Sequence, residues 1–206
     1  MKTIIFDMDG TVLNSERAIC ESINFVRQKL NLRAFPGEYI MEIINNPEKN
    51  PFIELYGKES VSANIKAEFE AEYVKNYEKF TRPYPGIAEL LRNCKERGYF
   101  VALATNAPQE ALGYIMQCMD LAQYFDLLVG ESESVPHKPD PTMLFEVLKQ
   151  TKFQKAIFLG DSKKDEMAAN SANMAYLQVT WGMGKSSPSA QNAKTTQEAW
   201  EIIEKF

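Results

Sequence analysis

Five short apolar runs, each passing into loop-forming residues, constrain the fold of this chain more than any other feature. They are TIIF before Asp7, YFVALA before Thr105, FDLLVG ending at Gly130, AIFLG before Asp161 and AYLQVT before Trp181. Each has the length and composition of a strand. Helical patterns lie between them. GIAELLRNCKERG places Ile87, Leu90, Leu91 and Cys94 on one face and stops at a glycine. DPTMLFEVLKQT starts with Asp140 as an N-cap and Pro141 at the first helical position. DSKKDEMAANSAN continues after Asp161 as another helix. Strands alternating with helices predict an α/β fold, a Rossmann-like parallel sheet with helices on both faces.

One region breaks the alternation. Residues 16–81 carry no convincing strand, only helical patterns such as ERAICESINFVRQKLNL and ANIKAEFEAEYVKNYEKF, with the loop NNPEKNPF between them. RPYPG then punctuates the return to the α/β pattern. The expected organisation is therefore an α/β core domain of residues 1–15 and 82–206 and a helical cap domain of residues 16–81, inserted after the first strand. The cap stripes Ile19, Ile23, Val26 and Leu30, and Phe69, Tyr73 and Tyr77, have the spacing of cap core. With nine Lys and Arg against eleven Glu, the insertion is mildly acidic and no trap for polyanions.

Composition narrows the partners. A net charge of -5 argues against nucleic acid or an anionic membrane. Cys20, Cys94 and Cys118 form neither a metal spacing nor a disulfide framework, which suits a reducing cytoplasm. The single histidine, His137, argues against a zinc site built from His and Cys. The apolar run at the N-terminus is too short for a signal peptide, and nothing approaches a membrane span. A cytoplasmic monomer is expected, without nucleic-acid or membrane partners.

The acidic residues are unevenly typed: 21 are Glu and only seven are Asp. Four of those seven, Asp7, Asp9, Asp161 and Asp165, stand in two clusters that each follow an apolar run. In an open parallel sheet, ligands bind beyond the carboxyl ends of the strands, so Asp7, Thr105 and Asp161 should converge there. Extended backbone would point Asp7 and Asp9 to one side, and a helix starting at Asp161 would put Asp161 and Asp165 on one face. Four carboxylates aimed at one point repel and raise each other's pKa. A hard divalent cation relieves this, and with oxygen ligands and no histidine, magnesium is the natural choice. An EF-hand is excluded, because Val12 stands where that loop needs its glycine. Thr105 and Asn106 supply a hydroxyl and backbone N–H groups, and HKPDP supplies Lys138. A cation, a hydroxyl, a lysine and amides around one carboxylate describe a site for a phosphoryl group.

The set FDMDGTV, ALATN, KPDP and GDSKKD, in that order and each at a strand end, resembles the four motifs of the haloacid dehalogenase superfamily. The resemblance is to the branch with a small helical cap, among the phosphoglycolate-phosphatase-like and β-phosphoglucomutase-like members. It implies the strand order 5-4-1-2-3. It further implies that Asp7 is a nucleophile forming an aspartyl-phosphate and that Asp9 is the general acid and base. Thr105 and Lys138 would complete the catalytic set and hold the phosphoryl oxygens with Gly10 and Asn106. Asp7, Asp9 (through its carbonyl), Asp161 and Asp165 would serve the metal. The expected activity is a magnesium-dependent phosphatase of a small phosphorylated metabolite, phosphoglycolate-like. A sugar phosphomutase would use the same motifs. A dehalogenase would not need Asp9, Asp161 and Asp165 together, and a phospho-accepting signalling domain would lack the insertion. Asn14 departs from the acidic residue common in relatives, and NNPEKNPF resembles the cap segment that faces the active site there, with Asn46 and Lys49 as its candidate contacts.

Overall fold

The structure is a computed structural model and describes residues 1–206. In chain order it runs β1 (Thr3–Phe6), β2 (Leu13–Asn14), α1 (Glu16–Lys29), α2 (Gly37–Asn45), α3 (Pro51–Tyr56), α4 (Ala63–Phe80) and β3 (Arg82–Pro83). It continues with α5 (Ile87–Glu96), β4 (Phe100–Pro108), α6 (Gln109–Cys118), β5 (Leu127–Glu131) and α7 (Thr142–Gln150). The last elements are β6 (Ala156–Gly160), α8 (Lys163–Ser171), β7 (Ala175–Val179), β8 (Gln191–Ala193) and α9 (Thr196–Lys205). Two compact units result: Met1–Asn14 with Pro83–Phe206, and Ser15–Arg82. No helix is long and apolar enough to cross a membrane.

The larger unit is built on a six-stranded sheet in the order β5-β4-β1-β6-β7-β8, and every pairing in it is parallel. Thr3, Ile4, Ile5 and Phe6 of the central β1 are all fully buried, which is why that strand reads as an unbroken run rather than an alternation. On one face Ile5, Ala102, Ala104 and Phe158 pack with Met143, Leu144 and Val147 of α7 and with Ala168 and Ala169 of α8. The alternate residues Ile4, Phe6, Val101 and Leu103 point to the other face and are buried too, so that face is also covered. Five strands follow the expected order; β8 is an addition to it. Its residues, QNA, carry no strand signal, and it pairs because β7 offers an open backbone edge from Leu177 to Val179.

Two helix starts differ from expectation. α7 begins at Thr142, with Pro141 just outside it, and the Asp140 carboxylate accepts a 2.9 Å hydrogen bond from the Thr142 N–H. α8 begins at Lys163, because the Ser162 side chain takes the cap position.

From Glu16 to Phe80 the smaller unit's regular structure is helical. α1 and α4 carry its core, with Ile23, Val26, Tyr73 and Tyr77 buried and Ile19, Leu30 and Phe69 partly so. The unit's buried amide is satisfied locally: Asn76 donates to the Ser22 hydroxyl, which donates to the Ala18 carbonyl. Arg27, 6% exposed, donates to the carbonyls of Arg33 and Leu55 and lies over the Phe35 ring. Asn50 caps α3 with Pro51 at its first position, so the expected NNPEKNPF loop shortens to the residues between α2 and α3. There Lys49 pairs with Glu42 at 2.9 Å, and the Asn46 side chain accepts from the Glu48 N–H.

Leu144, fully buried under the sheet, tests this packing. Leu144→Ala should destabilise the protein by about 2–5 kcal/mol, seen as a lower urea midpoint with an unchanged m-value.

Candidate active site

Strand register brings the motifs together. The last paired residues are Phe6 with Leu103 on β4 and with Leu159 on β6. One step further the three chains carry Asp7, Ala104 and Gly160, and a second step brings Thr105 and Asp161. The Asp7 N–H still donates to the Leu159 carbonyl at 2.8 Å, so the backbone stays in the sheet up to its first carboxylate. The chain then turns sharply, with the N–H groups of Val12 and Leu13 both donating to the Met8 carbonyl. Gly10 makes the turn possible at φ 82°. A Cβ there would collide with the Asp161 carboxylate, so the two acidic loops meet only because position 10 has no side chain.

Lys138 arrives from the loop before α7 and is 3% exposed. Its Nζ lies 2.5 Å from Asp7 and 2.6 Å from Asp165, and donates to the Ala104 carbonyl at 2.9 Å. The backbone of Lys138 is itself held from β4. The Asn106 Oδ1 accepts from the Lys138 N–H at 2.7 Å, and its Nδ2 donates to the Lys138 carbonyl at 3.2 Å. Asn106 thus acts here through its side chain, where the sequence suggested a backbone donor. Thr105 is buried and its hydroxyl accepts from the Ala107 N–H.

The two aspartates of GDSKKD do not share a helix face as expected. Asp161 sits in the turn after β6, while Asp165 occupies the third position of α8. Ser162 joins them in a capping box: its hydroxyl accepts from the Asp165 N–H, and Asp165 Oδ2 accepts from the Ser162 N–H at 3.0 Å. The cap turns the Asp165 carboxylate back toward the strand ends, so convergence survives by another route. Ser162 was missed as a structural member of the site, although the S-x-x-D spacing signals it.

Three carboxylates, Asp7, Asp161 and Asp165, offer ligand oxygens within 4.8 Å of one another, all buried. Burial, reinforced by Asp165 and Asp9 and opposed by Lys138, pushes the Asp7 carboxyl up to about 8. Burial and then the charges of Asp7 and Asp165 push Asp161 well above the usual carboxylate range. For Lys138, burial opposes the charged form, but Asp165 and Asp7 outweigh it and hold the ammonium above its ordinary value. If all three ionise, one ammonium would leave two negative charges uncompensated, which is the cost the raised Asp7 and Asp161 express. An all-oxygen donor set with that residual charge fits a divalent cation such as magnesium. Asp9 is half-buried and adds its charge to the same field.

A model of the family described as "Haloacid dehalogenase-like hydrolase" matches residues 4–179. The chain is similar to a phosphoglycolate phosphatase of Aquifex aeolicus, 27% identical over 90% of this chain and 87% of that one. Its fold is similar to a solved structure from Clostridium acetobutylicum described as a "predicted phosphatase", with a TM-score of 0.86, 23% identity and coverage of 100% and 99%. It is also similar to one from Thermotoga maritima provisionally assigned as a beta-phosphoglucomutase, with a TM-score of 0.73, 24% identity and coverage of 100% and 99%.

The pKa shifts carry a sign that can be measured. A carboxyl raised in the folded state holds a proton that unfolding releases, so its contribution to stability fades as pH rises. With chelator present, the wild-type protein should therefore lose stability relative to Asp161→Asn as pH rises through and above the usual carboxylate range. Urea unfolding across that range checks it; a pH-independent gap would mean that Asp161 titrates normally.

Proposed function

The chain belongs to the haloacid dehalogenase-like hydrolase family, and we propose from that premise that it is a magnesium-dependent phosphatase of a small phosphorylated metabolite. The observation that carries this reading is the buried set of Asp7, Asp161 and Asp165 with Lys138 between Asp7 and Asp165. Phosphoglycolate is the substrate of choice for a first test, given the phosphoglycolate phosphatases among the relatives.

The chemistry we infer is the one the four motifs imply. The Asp7 carboxylate attacks phosphorus, forming an aspartyl-phosphate as the P–O bond to the alkoxide breaks. Asp9 gives that alkoxide its proton. The Asp9 carboxylate then takes a proton from water, whose oxygen attacks phosphorus, releasing phosphate and restoring Asp7. Lys138, the Thr105 hydroxyl, Asn106 and the backbone at Gly10 bind the phosphoryl oxygens and offset their charge. The carboxylates of Asp7, Asp161 and Asp165, with the Asp9 carbonyl, would hold magnesium, which when bound supplies positive charge to the phosphoryl oxygens and favours the ionised nucleophile. Burial raises the Asp7 carboxyl to about 8 even with Lys138 opposing the rise, so a divalent cation held beside it would add the positive charge that favours the ionised nucleophile at neutral pH.

Phosphate release from phosphoglycolate and from p-nitrophenyl phosphate, each with magnesium and with chelator, tests the reading. Activity should require magnesium. Asp7→Asn should fall below about a hundredth of wild-type kcat, because the amide cannot attack. Full turnover in chelator, or a substantially active Asp7→Asn, would overturn it. A mutase would instead convert one sugar phosphate isomer into another without net phosphate release.

Asp9→Asn separates the two aspartates. Its loss should be larger on an alkyl phosphate than on p-nitrophenyl phosphate, whose leaving group needs little proton assistance. Equal losses on both would assign Asp9 to the metal or to the fold.

A further inference from the structure

Gln178 is a polar residue in the most buried part of β7, 3% exposed between the fully buried Leu177 and Val179. An amide in such a place is costly unless its polar atoms are used. Here they are used. Nε2 donates to the Asp161 carbonyl at 2.7 Å and approaches the Val179 carbonyl at 3.3 Å. Oε1 accepts the Tyr176 hydroxyl at 2.8 Å, and that hydroxyl also lies 3.3 Å from the Ser162 carbonyl. The Asp161 carbonyl can only accept and the Tyr176 hydroxyl donates, so the two contacts fix which way the amide faces.

The contact falls where the acidic turn begins. Gln178 is the registered partner of Gly160, the residue before Asp161. The turn is closely packed on its other sides. A Cβ on Gly160 would come within 2.5 Å of the Asp165 side chain, and one on Gly184 within 2.5 Å of the Asp161 carbonyl. A peptide enclosed this way is oriented by the one side chain that binds its oxygen.

We propose that Gln178 is a positioning residue for Asp161: its hydrogen bond to the Asp161 carbonyl sets the direction in which that residue's carboxylate enters the cluster with Asp7 and Asp165, and Tyr176 sets the orientation of Gln178. The proposal rests on the reading of Asp161 as a ligand of a divalent cation. Supporting groups behind metal ligands are worth about ten- to a hundredfold in affinity. A side chain that merely filled space in the core would change stability and leave metal affinity alone.

Magnesium titration calorimetry on the full chain, paired with thermal melts, distinguishes these roles. Gln178→Met keeps the volume and removes the donor; it should raise the magnesium Kd about tenfold. Tyr176→Phe removes a single oxygen and should raise it about fivefold, the worth of one hydrogen bond. Leu144→Ala, which opens a cavity in the core away from the acidic turn, should lower the melting temperature and leave the Kd unchanged. Asp161→Asn should weaken binding more than any of them. A Kd within twofold of wild type for Gln178→Met, with Asp161→Asn weakened, overturns the positioning role and leaves the metal site standing. Should Gln178→Met not fold, Tyr176→Phe decides on the same terms, an unchanged Kd counting against the proposal. Unchanged magnesium binding in Asp161→Asn, or none in the wild-type protein, overturns the metal reading and the proposal with it.

Discussion

The Lys138 ammonium between Asp7 and Asp165 is the interaction on which the rest of the core unit depends. Carboxylates buried at the end of a central strand would oppose folding without a positive neighbour. Much of the surrounding structure serves to bring that one cation to its place. The ends of β1 and β4 supply Asp7 and the Ala104 carbonyl, the side chain of Asn106 fixes the lysine's backbone, and the cap of α8 directs Asp165. One lysine still leaves negative charge in the cluster. That residual charge is what the proposed magnesium would offset.

The site is also shaped by what is missing from it. Gly10, Gly160 and Gly184 each bring backbone against an acidic residue at distances no Cβ would allow. Two of these glycines adjoin the motif aspartates, so the same short segments supply the carboxylates and the room for them. Dense packing of this kind holds carboxylates in a fixed arrangement before any ligand arrives.

Most of this was legible in the sequence because the core strands are fully buried. Burial on both faces makes TIIF and AIFLG continuous apolar runs, and the residue after each run is the one at the sheet edge. Legibility failed where polarity or brevity hid the structure. QNA pairs through its backbone alone. α8 was placed too early because the spacing of Asp161 and Asp165 resembles a helical face, whereas Ser162 interrupts it as a cap. Gln178 looked like one more strand residue; only the position of the Asp161 carbonyl reveals its use. Periodicity reports which side chains are buried, and it is silent on which backbone atoms they meet.

Arg27 in the helical unit solves the problem of a buried charge in the opposite way. Its guanidinium is neutralised by no carboxylate; it rests on the carbonyls of Arg33 and Leu55 and on the face of Phe35. None of those partners gains or loses a proton, and the guanidinium itself stays charged across the range in which proteins work. The ties from α1 to the segments around Arg33 and Leu55 are therefore blind to acidity. The α/β unit places titratable carboxylates at its most buried point, whereas the helical unit keeps its buried cation among groups that cannot titrate. Acid and base should loosen the two halves of this chain at different points on the pH scale.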